Sequence, residues 1–172
     1  RKKIDLDEYR EQLAYRQGKG ERIRYFFQNK ARSSGGTKRV AFAEGEEQKI
    51  IRAAYQIQEE GIATPVLIGR KSVIEDQLKN LSIDYKPEIV DPDQFPKIDA
   101  YAKAYYELRQ RKGMMMSDAA KKARDPNILG SLMVKMGDAD AFISGLTFDY
   151  PEVIRPALQI HHTAPGAARA AG

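Results

Sequence analysis

Four short apolar runs, alternating with segments of helical periodicity, constrain the fold of this chain more than any other feature. The runs cover residues 40–43, 65–69, 87–91 and 141–145. Each is too short for a helix, and the first two gaps between them hold one amphipathic segment each, which is typical of βαβ units. The spacing therefore predicts an α/β fold in three layers, with a parallel sheet covered by helices on both faces.

The segments between the runs predict the helices. They cover residues 47–60, 72–79, 98–112, 117–124 and 126–136. Ser117 is expected to cap the fourth of these helices, and Asp125 with Pro126 to start the fifth. The last helix begins at either Pro151 or Pro156, and in the second case Arg155 would be its N-cap residue.

Residues 1–36 predict a helical lead-in, which ends in a Ser/Gly-rich break before a second unit at 37–172. Residues 1–39 hold twelve basic and five acidic side chains, whereas the remaining residues are nearly balanced, with 17 basic and 19 acidic. The net charge of +5 therefore reflects one segment. We interpret that segment as a solvated helix surface rather than a nucleic-acid patch.

Composition bounds the class of protein further. No apolar stretch approaches the roughly 18 residues of a membrane span, so no membrane partner is expected. The chain has no cysteine, which removes disulfides, thiolate metal sites and a cysteine nucleophile. It opens without Met or an apolar leader, and we therefore expect a piece of a longer protein.

Two features after the fourth apolar run could bind an anion. Ser144, Gly145 and Thr147 form a small-residue loop whose backbone amides and hydroxyls could face a ligand. Arg155 follows within the next helix start, where a guanidinium suits phosphate or carboxylate. A structural ion pair of Arg155 with Asp149 or Glu152 is the alternative.

Three glutamates follow the first run, at Glu44, Glu46 and Glu47. We interpret them as helix-capping side chains in preference to catalytic carboxylates. His161 and His162 lack the spacing of a metal pair, because adjacent helical residues face different directions. No catalytic or metal-ligating residue is predicted.

Two aromatic stripes predict contact with a neighbour, and so an assembly role. One lies at 21–32 and the other at 98–108. Their aromatic residues are Tyr25, Phe26, Phe27, Tyr101 and Tyr105.

Several segments together carry a family resemblance. Residues 38–46, 60–69, 106–113 and 138–159 resemble, in order and spacing, the N-terminal half of the phosphate acetyl/butyryltransferase family. The resemblance implies an incomplete half of a two-subdomain phosphotransacetylase-like fold. The catalytic Ser, Arg and Asp of that family belong to its other half, so they have no counterpart in this chain.

One departure narrows the resemblance. Where active transferases carry small hydroxyl residues after Ser-Gly, this chain has Phe148, Asp149 and Tyr150. That form is similar to the phosphotransacetylase-like C-terminal domain of hybrid NADP-dependent malic enzymes. The resemblance implies a cytoplasmic, oligomeric parent that oxidatively decarboxylates malate to pyruvate, with NADP and a divalent metal (Mg or Mn) held in a malic enzyme domain of the same chain.

The same resemblance suggests a ligand site. Arg109 and Arg155 match by position two arginines that contact phosphate-bearing ligand in the active transferases, and Ser144, Gly145 and Thr147 match the nearby loop. We therefore expect a regulatory domain that binds acetyl-CoA or a related CoA ester as allosteric effector. The alternative is an active phosphate acetyltransferase, which converts acetyl-CoA and phosphate to acetyl phosphate and CoA.

Overall fold

A computed structural model describes residues 8–10, 12–13, 18–33, 35, 37–163 and 166. Within them, the helices are α1 (Lys19–Ser33), α2 (Gln48–Glu59), α3 (Lys71–Asn80), α4 (Ile98–Arg109), α5 (Met116–Lys122), α6 (Pro126–Met136) and α7 (Tyr150–His161). The strands are β1 (Arg39–Phe42), β2 (Thr64–Ile68), β3 (Glu88–Val90) and β4 (Ala141–Ile143). The predicted first stretch of the lead-in lies largely outside the described residues.

The four strands form one parallel sheet in the order β3-β2-β1-β4. In register, Ala41 of β1 pairs with Val66 of β2 on one side and with Phe142 of β4 on the other. The chain builds outward from β1 to β3 and then returns past β1 to add β4. The strand order therefore reverses between β1 and β4, and in such sheets ligands bind beyond the carboxyl ends at this point.

Helices cover both faces of the sheet, as the sequence predicts. On one face α2 and α3 enclose a core around Phe42, Leu67 and Ile74. On the other face α4, α5, α6 and α7 enclose a larger core that includes Val66 and Ile68. Alternate residues of β2 enter opposite cores because successive strand side chains point to opposite faces.

The helix starts agree with the sequence in one case and differ in another. Asp125 caps α6 as predicted, since its Oδ1 accepts hydrogen bonds from the amides of Asn127 (2.9 Å) and Ile128 (3.1 Å). The predicted cap at Ser117 is wrong, because α5 begins at Met116 and its N-cap residue is Met115, two positions before Ser117. Asp118 supplies the acidic side chain of that first turn.

A charged network fixes the amino ends of the strands. Lys97 donates to Oδ1 of Asp138 at 2.6 Å, and the Tyr101 hydroxyl donates to the other oxygen of that carboxylate. These hydrogen bonds, led by that from Lys97, lower the pKa of Asp138. Asp140 holds β1 by accepting from the Arg39 amide (2.8 Å) and from Lys38 (2.8 Å).

Helix α1 contacts the body through its polar side. Arg32 donates to the backbone oxygen of Glu60 at 2.7 Å, and Gln28 donates to the Glu60 carboxylate at 3.1 Å. Its apolar side faces outward, with Ile23, Phe26 and Phe27 exposed by 57%, 62% and 61%. A helix that covers a core turns its apolar side inward, whereas α1 turns its polar side toward the body and its apolar side outward.

The other predicted aromatic stripe is not a surface. Tyr101 and Tyr105 of α4 are 0% and 1% exposed, and they belong to the larger core. The prediction that they face a neighbour is therefore wrong, because α5, α6 and α7 cover that side of α4.

Candidate functional site

Glu44 lies at the point where the strand order reverses, and it is only 6% exposed. It follows β1 directly, and its carboxylate reaches the loop between β4 and α7. Oε1 accepts from the Thr147 amide (2.6 Å), the Thr147 hydroxyl (3.1 Å) and the Phe148 amide (3.4 Å), and Oε2 accepts from the Gly145 amide (3.2 Å). The loop therefore binds the carboxylate of Glu44, which is part of the same chain, rather than a separate ligand.

The loop residues predicted to bind a ligand are thus engaged internally. The Ser144 hydroxyl donates to the side-chain oxygen of Asn127, a buried residue at the start of α6, at 2.6 Å. Gly145 and Thr147 donate to Glu44, so their amides do not face outward as expected. The proposed role of Ser144, Gly145 and Thr147 in binding a ligand stays a prediction.

The capping interpretation is wrong for Glu44 and Glu46, and it holds for Glu47 by position only. Glu44 bonds to the β4–α7 loop, and Glu47 occupies the N-cap position of α2 without a side-chain hydrogen bond. Glu46 accepts from the Arg70 amide and guanidinium at distances of 2.7–2.9 Å. The hydrogen bond from Arg70 lowers the pKa of Glu46.

Helix α7 begins at Tyr150, with Pro151 in its first turn and Pro156 inside the helix. Of the two starts left open by the sequence, the structure has the earlier one. Glu152 accepts from the backbone amide of Asp149 at 2.9 Å, as the third residue of a capping box does. Arg155 is therefore not the cap and lies in the second turn, where its side chain is exposed.

Arg155 and Arg109 line the same cleft, of about 430 Å³, together with Lys112. Arg109 ends α4 and Lys112 ends the 3₁₀ turn that follows it, whereas Arg155 comes from α7. The remaining lining residues are Tyr150, Pro151, Ile154, Leu158, Gln159 and His162. The structure thus brings together the two arginines that the sequence singles out, although they are 46 positions apart.

These cations line one cleft without a salt bridge in the described part of the chain, although Asp125 and Glu152 line the adjoining cleft beside Arg155. No ion pair there includes Arg109, Lys112 or Arg155. The Nε of Arg109 is buried and makes no hydrogen bond with the described residues. The alternative of a structural pair between Arg155 and Asp149 or Glu152 is accordingly not found. A cleft of this kind attracts an anion.

A second cleft, of about 280 Å³, adjoins the first. The two share Pro151, Arg155 and Gln159, so Arg155 lies at their junction. Gln159 is held in place by the hydroxyl of Tyr105, which donates to its Oε1 at 2.8 Å. Burial raises the pKa of that hydroxyl.

Sequence reasoning missed two residues of this region. Lys112 stands out only as a basic residue near the end of a helix, and nothing local shows that it faces the same cleft as Arg155. The role of Glu44 depends on a contact with residues 101–104 positions away. A polar residue directly after a central strand was the one available signal.

Neither histidine joins a metal site in the described ranges. The ring of His161 makes a hydrogen bond of 3.0 Å with the backbone oxygen of Ser131, and His162 lines the cleft. Between residues 8 and 166, the described residues contain no cluster of three or more His, Cys, Asp or Glu side chains that could hold a metal ion. Of the helices described, none is long and apolar enough to cross a membrane.

Comparisons with known proteins identify the family to which this α/β fold belongs. Residues 24–172 match the phosphate acetyl/butaryl transferase family, and the chain belongs to that family. The match begins within α1, upstream of the boundary at 36/37 that the sequence suggests. A phosphotransacetylase structure from Streptococcus pyogenes superposes with a TM-score of 0.76 at 32% identity, over 83% of this chain and 44% of that one.

Relatives of two kinds are similar to this chain. It is 40% identical to a phosphate acetyltransferase of Clostridium acetobutylicum over 130 residues. The aligned region covers 75% of this chain and 39% of the relative. It is 36% identical to an NAD-dependent malic enzyme of Rhizobium meliloti, over 76% of this chain and 18% of the relative. The chain therefore spans less than half the length of either relative. The predicted resemblance to phosphate acetyltransferases and to malic enzymes is confirmed.

Proposed function

We propose that this chain is the phosphotransacetylase-like portion of an NADP-dependent malic enzyme and that it binds acetyl-CoA or a related CoA ester as an allosteric effector. The observation that carries the proposal is the convergence of Arg109, Lys112 and Arg155 on one cleft without an anionic partner in the described residues. Oxidative decarboxylation of malate would take place elsewhere in a cytoplasmic, oligomeric parent, with NADP and a divalent metal.

The chemistry of the cleft suits a CoA ester. Its phosphate groups are strong acceptors, and hydrogen bonds between ionised partners are roughly twice as strong as neutral ones. Tyr150, Ile154 and Leu158 supply an apolar wall beside the cations. Tyr150 is 64% exposed, so its ring is available to stack on a planar group such as adenine. Cations beside an apolar wall match a ligand with a charged part and an apolar part.

The outward face of α1 supports a further part of the proposal. Ile23, Phe26 and Phe27 are apolar and exposed, although α1 has a polar side that contacts the body. Exposed apolar patches of this kind mark contact surfaces. We propose that this face packs against the malic enzyme domain of the same chain or supports a homo-oligomer.

A specific observation favours the alternative of an active phosphate acetyltransferase, namely the 40% identity to an enzyme of that name. Against it stand the residues after Ser-Gly. Phe148 lines the second cleft, Asp149 precedes α7, and Tyr150 lines the first cleft. None is a small hydroxyl residue that would help to hold an acyl phosphate.

The proposal is tested on the full-length protein by malate turnover with and without saturating acetyl-CoA, measured with NADP and separately with NAD. Regulation predicts a change in turnover, and a coupling of about 1–3 kcal/mol corresponds to roughly 5- to 150-fold in effector affinity between states. If acetyl-CoA changes malate turnover neither with NADP nor with NAD, the chain does not have the proposed regulatory role. The absence of malate oxidation in the full-length protein would remove the malic enzyme assignment.

Calorimetric titration locates the site. The double variant Arg109→Ala/Arg155→Ala should lose acetyl-CoA binding, whereas Arg52→Ala should keep it. Arg52 is an exposed arginine of α2, which packs on the opposite face of the sheet. Formation of acetyl phosphate from acetyl-CoA well above background would instead favour the alternative function.

A further inference from the structure

Among the described residues, two sets of side-chain hydrogen bonds connect the loop between β4 and α7 to the rest of the fold. One is the hydrogen bond of Ser144 to Asn127, and the other is the set of four hydrogen bonds to Glu44. The Glu44 bonds reach Gly145, Thr147 and Phe148, which precede the N-cap residue Asp149 of α7. Glu44 therefore holds the loop that leads into the capping box of this helix.

Glu44 itself is firmly held. Its backbone oxygen accepts from the Glu47 amide at 3.0 Å, and the following residue, Gly45, donates to Ile68 of β2 at 3.0 Å. A Cβ atom at position 45 would lie 2.7 Å from the Ile68 oxygen, so only glycine allows this close approach. The carboxylate is thus attached to the most buried part of the sheet.

The carboxylate is balanced by backbone amides rather than by a cation. Among the described residues, no lysine, arginine or histidine forms an ion pair with Glu44. Successive backbone N–H groups in a turn stabilise an anion through their aligned dipoles. This arrangement holds three peptide units of the loop, those of Gly145, Thr147 and Phe148, in one conformation, which a single ion pair would not do.

The two ends of α7 are anchored differently. Its C-terminal half is held by Ile160, which is 0% exposed in the larger core, and by the hydrogen bond between Tyr105 and Gln159. Its first two turns carry Tyr150, Ile154 and Arg155 to the cleft and contribute no fully buried side chain. Their position therefore depends on the loop that precedes them.

We infer that Glu44 is a positioning residue for the cleft: by holding the β4–α7 loop it sets the place of Arg155 relative to Arg109. Arg109 belongs to α4 and does not depend on the loop. Loss of the Glu44 bonds would leave both arginines present but no longer at a fixed separation, which weakens binding of a ligand that contacts both. The inference rests on the proposed function, since it assigns Glu44 a part in forming the same cleft.

The test uses Glu44→Gln and Glu44→Ala in the full-length protein, with Glu46→Gln as matched control. Glutamine keeps the size of the side chain and one acceptor oxygen, whereas alanine leaves the loop amides without their partner. The control removes a neighbouring carboxylate that bonds to Arg70 instead of the loop. We expect acetyl-CoA affinity to fall about tenfold in Glu44→Gln and further in Glu44→Ala, and to stay unchanged in Glu46→Gln.

Hydrogen exchange gives a readout that does not need the ligand. In Glu44→Gln, the amides of Gly145, Thr147 and Phe148 should exchange faster, and the faster exchange should continue through the first two turns of α7 but stop before Ile160. In Glu46→Gln these amides should exchange as in the wild type. Thermal melts show whether each variant is folded at the temperature of measurement, and Glu44→Gln carries the test if Glu44→Ala does not fold.

Failure of the inference and failure of the proposed function look different. If the wild type does not bind acetyl-CoA, the proposed function is wrong, and hydrogen exchange alone decides whether Glu44 positions α7. If the wild type binds and Glu44→Gln binds equally well, or if Glu46→Gln weakens binding as much, the inference is wrong. Faster exchange that ends at Phe148 would also overturn it.

Discussion

The ring of Phe142 on β4 lies against the backbone of Gly130 on α6, and a Cβ atom at position 130 would overlap that ring. This contact brings α6 close to the sheet edge, where Asn127 of the same helix binds Ser144. The position of the loop after β4 therefore depends on glycine at position 130, which lets α6 approach β4 closely.

Substitution Gly130→Ala should destabilise the fold by about 1–3 kcal/mol, the usual cost of overpacking a core. Urea denaturation measures the free energy of unfolding. The control is Gly20→Ala in α1, where a Cβ would meet nothing within 4 Å. That change should be neutral or stabilise by up to about 1 kcal/mol, because alanine favours helix more than glycine does. Equal effects at the two positions would contradict the packing argument.

Arg155→Ala should weaken acetyl-CoA binding by about 1.5–3 kcal/mol, or roughly ten- to a hundredfold, if Arg155 binds a phosphate of the ligand. Arg155→Lys should recover only part of the affinity, because an ammonium group lacks the planar fork of the guanidinium. Calorimetric titration measures both variants. The melting temperature should change little, since Arg155 has no ion-pair partner in the described part of the chain. Unaltered affinity in both variants would remove Arg155 from the site.

Asp138→Asn should lower stability at neutral pH and have less effect in acid. The pKa of Asp138 is lowered from 3.8, first by the hydrogen bond from Lys97 and then by that from Tyr101. A lowered pKa in the folded state contributes stability that is present above the unfolded pKa and is lost as pH falls below about 4. Urea denaturation at pH 7 and pH 3 should give a deficit of about 1–2 kcal/mol that shrinks at the lower pH. A deficit that is the same at both pH values would contradict the assignment.

Tyr85→Phe should keep or raise stability at pH 7, because the buried Tyr85 hydroxyl has no hydrogen-bond partner in the described residues. Burial raises the pKa of this hydroxyl to about 12. The folded state therefore holds the proton more tightly than the unfolded state, and stability falls as pH rises from about 10 to 12. Phenylalanine removes this contribution, so denaturation at pH 7 and pH 11 should show a smaller alkaline loss in the variant. A loss as large as in the wild type would contradict it.

The double variant Phe26→Gln/Phe27→Gln should change assembly but not the stability of the domain, because both rings are exposed. Size-exclusion chromatography with light scattering on the full-length protein measures the mass in solution. A lower mass, or more readily separated domains after limited proteolysis, is expected if the outward face of α1 contacts a partner. Unchanged mass and unchanged proteolysis would leave this face without a role in assembly.

The sequence predicted the elements of this fold well because their signals are local. Asp125 with Pro126 gives the start of α6, and apolar runs give the strands to within two residues. The partners of side chains were harder to predict. Tyr101 and Tyr105 were predicted to contact a neighbour because their periodicity does not show which helices cover them. Glu44 resembled a cap because its true partners lie about one hundred residues later.

The strand order also has a consequence for how the chain folds. β1 pairs with β2 across about 25 positions of sequence and with β4 across about 100. Closing the longer loop costs more chain entropy, so we expect β1, β2 and β3 to associate before β4 joins them. During synthesis, the arginine of α4 would be in place while that of α7 was still being made. The cleft that both arginines line would therefore be among the last features of this chain to form.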